Sequence, residues 1–261
     1  MVYIKTDEEI EKIRECGVIS ARLFKYLKKY MEPGITTKEL DRLSYEFIVK
    51  NGATPSFKGY DDFPCSICAS INEEVIHGIP SNRRLKEGDI IGIDVGIKKN
   101  NLISDSAYTF PIGKISEGTA NLLTRTEKAL YIGISNVKDG NEINEICGSI
   151  EDYVLSFGYG IIRDYCGHGV GYYNHESPEI PNYRYKQGKA KLKKGMVIAI
   201  EPMITLGSGK QHVLDDGWTV ATVDKKYSAH FEHTIAVTSD GYSILTIEPE
   251  DIDYIKQKFG I

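Results

Sequence analysis

The chain has 261 residues, of which 32 are basic and 37 acidic, for a formal net charge of −5. Hydrophobic residues at 41% and charged residues at 26% are globular values, which excludes disordered, collagen-like and fibrous classes. The mildly acidic balance argues against nucleic-acid binding over the whole surface, and the length allows a core that needs no disulfide or structural metal. No apolar run reaches membrane-spanning length, and the acidic stretch from Met1 to Glu9 lacks the apolar region of a secretory signal. Five cysteines, odd in number and scattered, suit the reducing cytoplasm. Cys65 and Cys68 have redox spacing but no second pair, and read as small pocket or core residues.

In chain order, Thr6 and Glu9 form a capping box ahead of a helix with Ile10, Ile13, Gly17, Ala21 and Phe24 on one stripe. Thr36 and Glu39 predict a second box, opening a helix with Leu40, Leu43, Phe47 and Ile48 that stops near Gly52. Short strand-like runs follow at Ser66–Ile71, Ile90–Val95 and Ser106–Pro111. Further on lie a glycine-rich turn around His168, a strand ending in Glu201, and a strand-like run from Phe231 to Val237 that contains Glu232.

The two halves resemble each other. At an offset of 106, Gly34, Leu40, Phe47, Ile48, Val49 and Gly52 meet Gly140, Ile146, Tyr153, Val154, Leu155 and Gly158, whereas Tyr45 meets the dissimilar Glu151. At an offset of 107, the run from Leu85 to Asp94 matches the run from Leu192 to Glu201. His77-Gly-Ile has an echo in His168-Gly-Val. Two copies of this size are not a solenoid. They predict a duplicated α+β unit, one domain over residues 1–261 with halves of about 1–114 and 115–261. Asp94 and Glu201 would then converge near a pseudo-twofold axis, at the interface where a site is expected.

Asp94 ends an Ile-rich run, where a carboxylate is costly unless paired, hydrogen-bonded or bound to metal. Asp105 follows at hairpin distance, flanked by Ser104 and Ser106. Any one of these carboxylates, taken singly, is ordinarily a cap or an ion-pair partner. Together Asp94, Asp105, Glu201 and Glu232 would repel strongly unless cations lie between them. Two divalent ions about 3.5–4 Å apart resolve the conflict, and oxygen ligands with one imidazole favour manganese, iron(II) or cobalt over structural zinc.

His77-Gly-Ile-Pro80, Ile93-Asp94-Val95, Ser104-Asp105, Cys166-Gly-His168-Gly-Val-Gly171, Ile200-Glu201-Pro202-Met203, Asp216-Gly-Trp218-Thr and Glu232-His-Thr together resemble the type I methionine aminopeptidases over nearly the whole chain. The resemblance implies the pita-bread fold and removal of the initiator methionine from nascent polypeptides by attack of a metal-bridging hydroxide on the first peptide bond. Asp94 resembles the bidentate ligand of one metal, His168 and Glu201 the ligands of the other, and Asp105 and Glu232 the bridging carboxylates. The metals implied are cobalt, manganese, iron(II) or zinc. His77 and His175 match the two non-ligand histidines that contact the scissile peptide, and Glu201 is placed to shuttle a proton as well. The methionine pocket maps onto Tyr60, Phe63, Cys68 and Trp218, while Asn174 stands where relatives often carry an aromatic residue. Asn72 and Ser228 match positions that hold a monovalent cation in some relatives.

Arg184, Lys186, Lys189, Lys191, Lys193 and Lys194 form a basic stretch with no acid among them. A solvated loop is the ordinary reading of such a run. With nascent chains as substrate, contact with ribosomal RNA through residues 184–194 is a second expectation. The protein is expected to act in the cytoplasm as a monomer. Two other readings are a proline-directed peptidase on the same fold, whose members usually carry an extra N-terminal domain, and a non-catalytic binding protein, which would have lost ligands.

Overall fold

Thr6 opens the first helix in the computed structural model of the chain, which describes residues 1–260. Its hydroxyl accepts from the Glu9 amide while the Glu9 carboxylate accepts from the Thr6 amide, and helix α1 runs Asp7–Leu27 from that cap. Ile13, Gly17 and Ala21 are buried on its inner face. A Cβ at Gly17 would stand 2.2 Å from the Leu245 carbonyl oxygen, so glycine alone lets α1 lie against that backbone. Helix α2, Thr37–Lys50, has only half of its expected capping box. Thr36 accepts from the Glu39 amide, but the Glu39 carboxylate turns to Arg42, a charge-assisted partner one turn along. Asn51 and the left-handed Gly52 end the helix at the expected place.

The first half then contributes strands β1 (Thr54–Pro55), β2 (Cys68–Ile71), β3 (Glu74–Ile76), β4 (Ile90–Lys99) and β5 (Leu102–Pro111). β4 and β5 outrun their apolar segments. They form one antiparallel hairpin closed by Asn100 and Asn101, at φ 53° and 61°, the conformation of a two-residue type I′ turn. Asp94 therefore lies inside a strand rather than at its end. β1 and β2 pair along the other edge of β4.

The second half repeats the plan with helices α3 (Glu117–Ser135) and α4 (Ile143–Leu155). Its strands are β6 (Gly160–Ile161), β7 (Gly167–Gly169), β8 (Glu176–Ile180), β9 (Val197–Ile200), β10 (Met203–Thr205), β11 (Gln211–Val213), β12 (Val220–Thr222), β13 (Ser228–His230), β14 (His233–Val237) and β15 (Tyr242–Ile244), followed by helix α5 (Ile252–Phe259). The main sheet has the order β15-β14-β9-β7-β8, so β7-β9-β14 repeats the β2-β4-β5 neighbourhood of the first half. His168, expected in a turn, sits in β7. Its flanking glycines leave His168 the strand's one side chain, and a Cβ at Gly167 would meet the Ala199 carbonyl at 2.3 Å.

Each half buries an apolar cluster of its own, the first around Leu23, Leu40, Ile91 and Ile93, the second around Leu122, Ile146, Ile198 and Ile200. A third cluster takes Ile13 and Ile103 from the first half and Val170, Val197 and Leu245 from the second. Backbone also crosses between halves. β3 pairs with β12, and Ala107 of β5 bridges Glu232 just before β14. Among the described residues no helix is long and apolar enough to cross a membrane.

Candidate active site

Strand register gathers the carboxylates. Asp94 lies opposite Ala107 in the β4–β5 hairpin, Asp105 stands two residues before Ala107, and Glu232 bridges Ala107 from the other side. Residues directly opposite, and residues two apart on one strand, share a face of a sheet, so these three side chains project together. The methyl group of Ala107 leaves the space between them open. Thr234 fixes Asp105 by accepting from its amide at 2.9 Å and donating to its carbonyl at 2.7 Å. Glu201 directly follows β9, the repeat counterpart of β4.

His168 Nδ1 lies 2.9 Å from the Gly169 carbonyl. A carbonyl only accepts, so Nδ1 carries the proton and Nε2 presents a free lone pair to the carboxylates. That Nε2 lies 3.5 Å from Glu201 Oε1 and 4.0 Å from Asp105 Oδ2. Ligand atoms of Asp105, His168 and Glu232 fall within 4.8 Å of one another. Asp94 Oδ1 and Glu232 Oε1 are buried with no hydrogen-bond partner. Burial, and then the charges of Asp105 and Glu201, hold both of these carboxyls well above their ordinary range. Asp105 is pushed up to about 6 by burial, partly opposed by His168. Glu201 behaves differently. Burial pushes it up, but His230, His168 and His175 together draw it below its ordinary value.

The eleven residues expected at the centre and in the methionine pocket line one cavity of about 340 Å³. Asp94, Asp105, His168, Glu201 and Glu232 are among its lining. Phe63, Cys68 and Trp218 form an apolar wall, with the Trp218 ring edge-on to Phe63 at 5.1 Å between centroids. His175 stands between His168, at 4.5 Å between ring centroids, and Tyr60, whose hydroxyl is 3.1 Å from His175 Nδ1. His77 has a left-handed backbone (φ 59°), and burial lowers its pKa. The following Gly78 is obligatory, because a Cβ there would meet the Ala69 carbonyl at 2.4 Å.

Asn72 and Ser228 lie outside the cavity, where the Ser228 amide donates to the Asn72 carbonyl at 2.8 Å. Asn174 is not among the lining residues and donates to the Ser56 carbonyl at 3.2 Å. Phe57, unmarked in sequence, lines the pocket and packs with Phe63 and Cys68. Asp61, Ile76, Asp164 and Tyr165 also line it without a sequence signal of their own, as does Cys166 from the motif around His168. His230 was also missed. It is buried in β13 with Nε2 at 3.3 Å from Glu201 Oε2, so Glu201 lies between two imidazoles. Its signal was present in the period-two spacing of His230 and Glu232.

Three buried carboxylates, the half-buried Asp94, an imidazole with a free Nε2 and two orphaned carboxylate oxygens fit divalent cations that take oxygen and nitrogen ligands. Asp94, Asp105, His168, Glu201 and Glu232 are the residues that can hold them.

The profile of metallopeptidase family M24 matches residues 11–239. The chain is 50% identical to methionine aminopeptidase 1 of Bacillus subtilis over 94% of its own length and 99% of the relative's. The solved structure of a methionine aminopeptidase from Thermotoga maritima superposes with a TM-score of 0.93 at 41% identity, covering 95% of this chain and 100% of that one. A prolidase from Pyrococcus furiosus is more distant, with a TM-score of 0.76 and 26% identity over 94% of this chain and 65% of that one.

The contact between His230 and Glu201 yields a test. His230→Ala should weaken divalent-cation binding, measured by calorimetry, by about 10- to 100-fold, as loss of a partner that orients a ligand commonly does. His230→Gln keeps a donor and should recover most of the affinity. Equal losses in both variants would contradict a hydrogen-bonding role.

Proposed function

The chain belongs to metallopeptidase family M24 and, within it, to the type I methionine aminopeptidases with the pita-bread fold, and on that premise we propose how its residues remove an N-terminal methionine. Asp94, Asp105, His168, Glu201 and Glu232 would hold two divalent cations drawn from cobalt, manganese, iron(II) or zinc. Such cations supply Lewis acidity and a water deprotonated near neutral pH. The observation that carries this reading is the convergence of five donor residues from both halves on one cavity, with two buried carboxylate oxygens left without a partner. The halves therefore work as one catalytic unit, the first supplying Asp94 and Asp105 and the second His168, Glu201 and Glu232.

Phe57, Phe63, Cys68 and Trp218 enclose the methionine side chain, whose flexible thioether suits an apolar, aromatic-walled pocket. With the Tyr60 hydroxyl donating to His175 Nδ1, the Nε2–H of His175 faces the cleft and donates to the carbonyl oxygen as charge develops on it. Neutral His77 hydrogen-bonds the scissile amide. Glu201 is the carboxylate that neighbouring imidazoles keep ionised, so it accepts the proton released by the attacking water and passes it to the leaving amine.

The site of action we infer is the cytoplasm, on nascent chains, with the protein a monomer. Five free thiols agree with that compartment. In the basic stretch, Arg184 is engaged by Asp152 and Glu151, while Lys186, Lys189, Lys191, Lys193 and Lys194 are exposed and able to meet ribosomal RNA. Reversing the charge of these lysines should weaken salt-sensitive cosedimentation with ribosomes, and unaltered cosedimentation would remove that contact from the account.

Activity is tested on Met-Ala-Ser and an Xaa-Pro peptide, with metal-stripped and reconstituted enzyme. Methionine release from Met-Ala-Ser should vanish on stripping and return with divalent metal. Cleavage of the Xaa-Pro peptide alone would contradict the assignment.

A further inference from the structure

The segment between β7 and β8 begins two residues after His168 and ends on His175, yet His175 has few restraints of its own. Its ring meets only Tyr60 and His168 among the polar and aromatic neighbours described above. The next residue, Glu176, is held far more firmly. Glu176 Oε1 accepts from the amides of Tyr172 and Tyr173 at 2.7 and 3.1 Å, closing the turn that leads into His175. Glu176 Oε2 accepts from the Lys5 ammonium, and the two side chains are 0% and 1% exposed.

Lys5 is in turn enclosed. Its Nζ lies 5.4 and 5.2 Å from the ring centroids of Tyr3 and Tyr172, within cation–π range. The Lys5 amide donates to the Gly195 carbonyl at 2.8 Å. The Tyr172 hydroxyl donates to Glu9 at 2.6 Å, and the other oxygen of Glu9 serves the Thr6 cap. Gly171 leaves room for the lysine stem, since a Cβ there would stand 2.7 Å from Lys5 Cε. An ion pair buried this completely costs desolvation that hydrophobic residues would avoid, so stability alone does not account for it. What the pair does locally is tie the turn before His175 to the start of α1.

We propose that the Lys5–Glu176 pair is a positioning device for His175, holding the turn Tyr172–His175 where the imidazole meets the carbonyl of the bound substrate. This rests on the role given to His175 above. A ring displaced by an ångström loses alignment with the developing oxyanion while the methionine pocket, built from other segments, stays intact. The loss therefore belongs in kcat rather than KM.

The test is a double-mutant cycle on Met-Ala-Ser hydrolysis with metal-loaded enzyme, using Lys5→Met, His175→Ala and their combination. Lys5→Met should lower kcat by about 10- to 100-fold with little change in KM. In the His175→Ala background it should lower kcat by less than about twofold, because residues acting through one group are non-additive. Should Lys5→Met leave Glu176 too costly to bury, Lys5→Met/Glu176→Leu removes both charges and enters the same cycle. Equal factors in both backgrounds, or an unchanged kcat in Lys5→Met, would overturn the proposal while leaving His175 in place. An unchanged kcat in His175→Ala alone would overturn the role of His175, and the anchor with it.

Discussion

Like charges confined in a buried space set the terms for this molecule. Two carboxylates about 4 Å apart repel by about 4 kcal/mol at the effective dielectric of a protein, and four such groups share one cavity wall here. Burial first, and then that repulsion, hold the Asp94 and Glu232 carboxyls well above their ordinary range, whereas neighbouring imidazoles draw Glu201 below its own. Such an arrangement is a poor way to build a core and a good way to receive cations.

The fold arrives at it through small devices in the backbone. A type I′ turn at Asn100 and Asn101 sets the β4–β5 register, and that register puts Asp94 and Asp105 on the face that Ala107 shares with Glu232. Moving the register by one residue would send Asp94 to the opposite face of the sheet and dismantle the site. Duplication supplies the other side, since β9 repeats β4 and delivers Glu201 where β4 holds Asp94. Pairing of β3 with β12 and the cluster around Ile13, Val170 and Leu245 keep the halves in registry. The cavity wall thus depends on contacts made well away from it.

Most of the centre was legible in sequence because its donors sit in repeated, strongly patterned strands. The apolar runs before Asp94 and Glu201 announce buried carboxylates, and His168 stands among glycines that have no other evident use. Other parts were hidden for physical reasons. Asp94 looked terminal because the Ile-rich run stops there, whereas the hairpin continues to the asparagines. Glu39 makes a plausible capping box until Arg42 is seen beside it. Phe57 lies in a Gly- and Pro-rich stretch with no periodicity. His230 needs knowledge of Glu201, 29 residues away by number (230 − 201), before its burial means anything. Lys5 carries no signal in sequence, and only the tertiary fold shows it caged by two tyrosines.

The central claim is that divalent cations replace protons among these carboxylates. Titrating metal-stripped protein with Mn²⁺ at about pH 6, in two buffers of different ionisation enthalpy, measures binding and proton release together. The account predicts two ions per chain and net release of protons, because burial and the neighbouring carboxylates raise the proton affinity of Asp94 and Glu232 above the ordinary carboxylate range. Binding without proton release, or no binding, would contradict it.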